Sequence, residues 1–213
     1  MIRLDCIMPD EPPDALSEFQ DRAVEDNYFH DARRIKQALH VEPRAQVLPE
    51  QLNLNDLKQI ARGVNMTTLP DTASCALLAA CVHYNIEKGA IILYAKDMSL
   101  PLGMDTEIMD TIIFGERLKV SSALCSLEEV SQEILHRYSL EGNKSYIVST
   151  DNCLIPLLGN LGHDFNAVVL QDLTDKPFVQ FVDAWTLGDT TPDSARFQRH
   201  FPSGAVFTVR ACT

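Results

Sequence analysis

The sequence predicts an α+β domain, with helices first and a small antiparallel sheet at the end. Two observations carry this. Up to about residue 142, apolar residues recur at helical spacing between caps and breakers. From Ser145 onward the period changes: SYIVST, FNAVVLQD, PFVQFVDAW and AVFTVR are short, rich in β-branched and aromatic residues, and separated by turn-rich stretches such as TDKP, GDTTPDS and FPSG. A run of helices followed by a run of strands is the pattern of an α+β fold.

Taken in order, residues 1–13 are acidic and end in DEPPD, which predicts an irregular lead-in. ALSEFQDRAVEDNYFHDARRIKQALHV has helical spacing with a break expected near Asn27, and VEPRAQVLPE, with two prolines, reads as a connector. QLNLNDLKQIARGV is a second helix, placing Leu52, Leu54, Leu57, Ile60 and Val64 on a helical repeat that stops near Gly63. In TTLPDTASCALLAACVHYNIEKG, Pro70 and small polar residues give way to an Ala/Leu-rich run closed by Gly89. This is a loop and then a helix, N-capped by Asp71, Thr72 or Ser74. GAIILYAKD is either a short buried strand or a helix continuation, DTEIMDTIIFGERL is helical, and SLEEVSQEILHRYSLEG opens on Ser-x-x-Glu and closes on glycine like a capped helix. LLGNLG reads as a glycine-flanked loop before the strand that starts at GHDFNAVV.

Composition narrows the function. With 213 residues, 46% of them hydrophobic, one domain over 1–213 has enough apolar material for a core. The net charge of -12, with no Lys/Arg-rich run, excludes a phosphate-tracking surface and so nucleic acid as a partner. No run approaches the roughly 18 to 20 apolar residues of a membrane span, and MIRLDCIMPDEPPDAL lacks the pattern of a secretory signal. Six scattered cysteines with no CxxC pair argue against zinc and against a disulfide framework, which points to a reducing, cytosol-like compartment, in this cell or another.

The chemistry centres on three residues. Cys75 stands in the first turn of its helix, where unpaired N–H groups and the helix dipole stabilise a thiolate, and the small neighbours Ala73, Ser74 and Ala76 leave room for a carbonyl. The competing reading makes it a small core hydrophobe. Cys81 is mid-helix, where the dipole helps little, while Cys125 and Cys153 lie at element starts or in loops. His163 opens a strand, as a base for a facing cysteine or as a hydrogen-bonded structural histidine. If residues 163–171 and 175–184 pair as a hairpin about Leu173 to Asp175, residues summing to about 346 lie opposite each other, and His163 meets Asp183. An acid there orients the imidazole and stabilises its charged form; otherwise it merely caps a strand. Strand alternation turns Asp164 away from His163. Trp185 is either a cleft wall or core, and His83 and His136 are packing or surface residues.

The order of DTASCALLA, GHDFNAVV and FVDAW resembles the papain-like cysteine peptidase superfamily, over roughly residues 70 to 190, and most closely its compact bacterial effector and toxin branch. The resemblance implies N-terminal helices packed on a C-terminal antiparallel sheet, with Cys75 as nucleophile, His163 as general base and then acid, and Asp183 as orienting residue. It further implies a monomeric, cofactor-free and metal-free enzyme acting on a protein. Small effectors of this branch that deamidate a glutamine of a host protein match best in size and order, with secretion into the host cytosol as the implied setting. A thiol protease and a transglutaminase share the machinery. Glutamine is absent from the upstream position that often forms the oxyanion hole, leaving Asn65 or the backbone of Thr72 to Cys75 as donors. A non-catalytic interaction module, with Cys75 in the core, is the competing class.

Overall fold

A computed structural model describes residues 22–66, 74–96, 106–155, 159–185 and 189–212. Helix α1 (Arg22–Ala38) runs into strand β1 (Leu39–Val47), and α2 (Leu54–Val64) and α3 (Cys75–Glu87) precede β2 (Ala90–Ala95). Helix α4 (Thr106–Phe114), the two-residue strand β3 (Lys119–Val120) and helix α5 (Leu127–Glu141) complete the helical part. Strands β4 (Ser145–Ile155), β5 (Gly159–Gln171) and β6 (Pro177–Val182) follow, then a short α6 (Ser194–Phe197), a 3-10 turn and β7 (Phe207–Ala211). The lead-in at 1–13, Asp71 and Thr72 lie outside the described residues.

Helix ends follow the local chemistry. Asn53 caps α2 by accepting from the N–H groups of Asn55 and Asp56, while Asp56 returns a bond to the Asn53 N–H. This satisfies three backbone donors at the helix start at once. Asn53→Ala is expected to cost about 1 kcal/mol of stability, read as a lowered urea midpoint with unchanged slope. Ser126 caps α5, and Gly142 ends it in the left-handed conformation that favours glycine.

Helix α3 is mostly apolar and buried on every side, from Leu77 to Ile86. A helix of that kind belongs inside, and it packs against α2, α4, β2, β4 and β5. The main sheet is antiparallel, in the order β3-β7-β4-β5-β6. Its two faces carry two cores. Val168, Leu170, Val182 and Ile147 pack with α3 on one side. Phe165, Ala167, Val169, Phe181 and Val148 pack with α5 and α6 on the other, as strand alternation requires.

Three sequence expectations change here, and one open choice is settled. The VEPRAQVLPE connector is largely the second half of β1, which pairs with β2 on either side of an irregularity between Val41 and Gln46 that holds Pro43. A proline is tolerated at such a break because no ladder N–H is demanded of it. Helix α1 runs through Asn27 without a break. GAIILYAKD is the strand β2, so a second, two-stranded antiparallel sheet precedes the C-terminal one. LLGNLG is a loop only in part, since β5 begins at Gly159 and pairs with the far end of β4 past an irregularity between Thr150 and Cys153.

Candidate active site

Cys75, His163 and Asp183 come together where the N-terminus of α3 approaches β5 and the exit of β6. Ser74 adopts extended dihedrals and its Oγ accepts the Leu77 N–H at 3.3 Å, which makes Cys75 the first helical residue. Its thiol is half-buried. The first turn directs unpaired N–H groups toward whatever approaches that sulfur.

The histidine is placed by the sheet. The β5–β6 register pairs Asn166 with Val182 and Ala167 with Phe181, so opposed residues sum to 348 rather than 346. The cause is the loop: Asp172 gathers Thr174 and Lys176 around its carboxylate and Asp175 takes a positive φ, which gives a tight five-residue connection. A slip of two keeps every side chain on its own face. His163 and Asp183 are therefore diagonal neighbours, and the imidazole Nε2 lies 2.9 Å from Asp183 Oδ2.

Both carboxylate oxygens of Asp183 are engaged, because Oδ1 accepts the backbone N–H of Trp185 at 3.0 Å. The Trp185 ring stands edge-on to the imidazole at 5.5 Å between centroids, and Phe165 stacks on it at 6.0 Å. Aromatic walls of this kind keep water from the His163–Asp183 bond, and only 3% of the imidazole side chain remains exposed. Burial alone would lower the basicity of His163, but the adjacent Asp183 carboxylate and the neighbouring Cys75 thiol outweigh it and hold the imidazole well above its ordinary range. With Nε2 committed to Asp183, Nδ1 has no other hydrogen-bond partner and is the nitrogen left for Cys75.

The other thiols differ. Burial pushes Cys81 up, and it also pushes up Cys153, although the nearby His163 charge works against it. Cys125 is exposed on the surface. Cys212 Sγ lies 3.9 Å from His83 Nε2, yet burial raises the thiol to about 11, while burial and the Arg210 charge lower His83 to about 3. Both partners stay neutral, so this second Cys–His neighbourhood is packing. His83 also stands edge-on to Phe114.

Asp164 turns to the opposite face from His163. It accepts from Arg210 Nη2 at 3.0 Å, while Arg210 Nε lies 3.1 Å from Asp110 and Nη1 donates to Ser149. Sequence reasoning weighed Asp164 but missed Arg210 and Asp110. The available signal was a charge inside an apolar run, since TEIMDTIIF and FTVRA each bury one and a buried charge needs a partner. Asn65, the C-cap of α2, is mostly buried and bridges to Ala95. Among the described residues, no group of three or more His, Cys, Asp or Glu is arranged to hold a metal.

A family profile described as Salmonella plasmid virulence protein SpvD matches residues 10–213. Virulence protein vsdE of Salmonella typhimurium and virulence protein SpvD of Salmonella dublin are each 40% identical over 200 residues, covering 93% of both chains. Solved structures of the glycine and arginine variants of the Salmonella effector SpvD superpose with TM-scores of 0.83 and 0.76, at 39% and 38% identity, over 94% of this chain and 98% of each of theirs.

Proposed function

The chain belongs to the SpvD family of Salmonella plasmid virulence proteins, and we propose that it is an SpvD-type virulence effector working as a cysteine-dependent acyl-transfer enzyme on a host protein. The observation that carries this is the buried His163–Asp183 pair, 2.9 Å apart, which interacts with the Cys75 thiol at a helix N-terminus and keeps its second imidazole nitrogen without another partner. A nucleophile beside a base that is itself oriented by a third group is the arrangement covalent catalysis needs. The papain-like likeness of DTASCALLA, GHDFNAVV and FVDAW supports the same assignment.

The reaction we favour is deamidation of a glutamine side chain. Cys75 Sγ attacks the carboxamide carbon, its proton resting on His163 Nδ1. Collapse of the tetrahedral intermediate breaks the C–N bond, and His163 passes its proton to the departing ammonia. A water, giving a proton back to His163, then attacks the thioester, releasing glutamate and the Cys75 thiol. The Asp183 carboxylate stabilises the imidazolium. Helix N–H groups at Cys75 face the developing oxyanion.

Host proteins incubated with the wild-type chain and with Cys75→Ala are compared by intact mass. A gain of about 1 Da that depends on Cys75 is the expected result. Backbone cleavage would assign a thiol protease, and addition of an amine would assign a transglutaminase. An unmodified proteome with an inert, folded Cys75 leaves the chain as an interaction module.

A further inference from the structure

We propose that Asn166 is a positioning residue, whose side-chain amide locks helix α3 against strand β5 and so sets the approach of Cys75 to His163. This rests on the reading of Cys75 and His163 as nucleophile and base. Asn166 is fully buried, and its Nδ2 donates to the Ala79 carbonyl at 2.9 Å and more weakly to the Tyr146 carbonyl at 3.4 Å. Ala79 lies one helical turn beyond Cys75, on the helix that carries the nucleophile. Asn166 lies three residues beyond His163, on the strand that carries the base. The one hydrogen bond therefore joins the two halves of the site.

Two features make this more than packing. The neighbours of Asn166 on this face, Val168, Ile147 and Val182, are apolar and make no directional bond, while the far end of α3 is held by Asn85 to Ile92 and Leu93. A directional bond to one particular carbonyl orients the end that bears Cys75, using the second lone pair that the Ala79 oxygen keeps beyond its helical bond. The second feature is cost. Asn166 Oδ1 is buried with no hydrogen-bond partner, which a leucine of similar size would avoid. An amide kept in an apolar layer at that cost is explained by what its other end holds. Glu87 Oε1, accepting the Ser145 N–H at 2.7 Å, ties the far end of α3 to the sheet, so Asn166 governs the end that bears Cys75.

The test reads Cys75 alone, by peptide mass after alkylation of the full chain with iodoacetamide across pH. A His163-paired thiol alkylates at about pH 6 far faster than a free one, and His163→Ala removes that low-pH rate. If the wild type lacks a His163-dependent low-pH rate, the underlying site assignment fails whatever Asn166 does. With that rate present, Asn166→Leu is expected to lower alkylation at about pH 6 by about tenfold while leaving the rate at about pH 9.5 within about twofold. Asn166→Gln displaces the amide by one methylene, should show the same pH-selective loss, and carries the test if the leucine variant does not fold. A wild-type profile in either folded variant overturns the proposal, and so does equal slowing at both pH values, which marks general loosening.

Discussion

Asp183→Ala is expected to lower turnover of the modified host protein by about 10³- to 10⁴-fold, with KM little changed, because it removes the group that orients and charges the base rather than one that touches substrate. Asp183→Asn should lose a comparable factor, since the amide keeps the geometry but removes the charge that stabilises imidazolium and can favour the wrong tautomer of His163. The pH dependence separates the two contributions. In the native chain the Asp183 carboxylate holds His163 well above its reference of about 6.5, against burial. A histidine raised on folding contributes stability that is complete below the unfolded pKa and disappears as pH rises through the folded one. The stability deficit of Asp183→Ala should therefore be larger at about pH 6 than at about pH 9, apart from a constant loss from the Trp185 N–H bond. Urea unfolding at the two pH values measures this; equal deficits would remove Asp183 as the source of the imidazole's charge.

The candidate site was legible in the sequence for a reason that applies to little else in the chain. Each of its three residues carries a local signal: small residues and an N-cap before Cys75, a glycine before His163, an aromatic strand end before Asp183. Pairing the last two needed only strand parity, which survived a register error of two. Strand β1 was not legible, because past Val41 it is exposed or half-exposed and interrupted at Pro43, so neither alternation nor an apolar run marks it. Strand β2 was ambiguous for the opposite reason: Ala90 to Leu93 are buried consecutively, and a run without alternation has no period to read. Residues 159–162 lie within β5, where two glycines disguise a strand as a loop. The polar ties under the site were hidden for a third reason. Asn166 meets Ala79 across 87 positions and Arg210 meets Asp164 across 46, and only the folded chain supplies those partners.

Arg210→Met should show how far this hidden layer supports the site. Arg210 is 4% exposed and neutralises two buried carboxylates, Asp164 on β5 and Asp110 on α4, while also donating to Ser149 on β4. Its removal leaves both acids without their counter-charge, and the expected cost is about 3 to 5 kcal/mol in urea unfolding. The pH response has a definite sign. Burial lifts Asp110 to about 6, with Arg210 opposing and Asp164 reinforcing the rise. For an acid raised above its reference of about 3.9, the folded state binds the extra proton, so its contribution falls as pH climbs from about 4 to about 6. Without Arg210 the Asp110 carboxyl goes higher still, so the deficit at about pH 8 should exceed that at about pH 5. His83, which Arg210 helps to hold neutral, adds to this difference, because loss of the Arg210 charge eases its protonation at about pH 5 and changes nothing at about pH 8. Replacing all three charges together, as Asp110→Leu, Asp164→Leu and Arg210→Met, should recover most of the stability, because a well-packed apolar cluster serves a buried site as well as an ion pair does. Recovery of stability without recovery of Cys75 alkylation at about pH 6 would separate the two roles of the network, since Asp164 adjoins His163 on the same strand and fixes its backbone through Arg210.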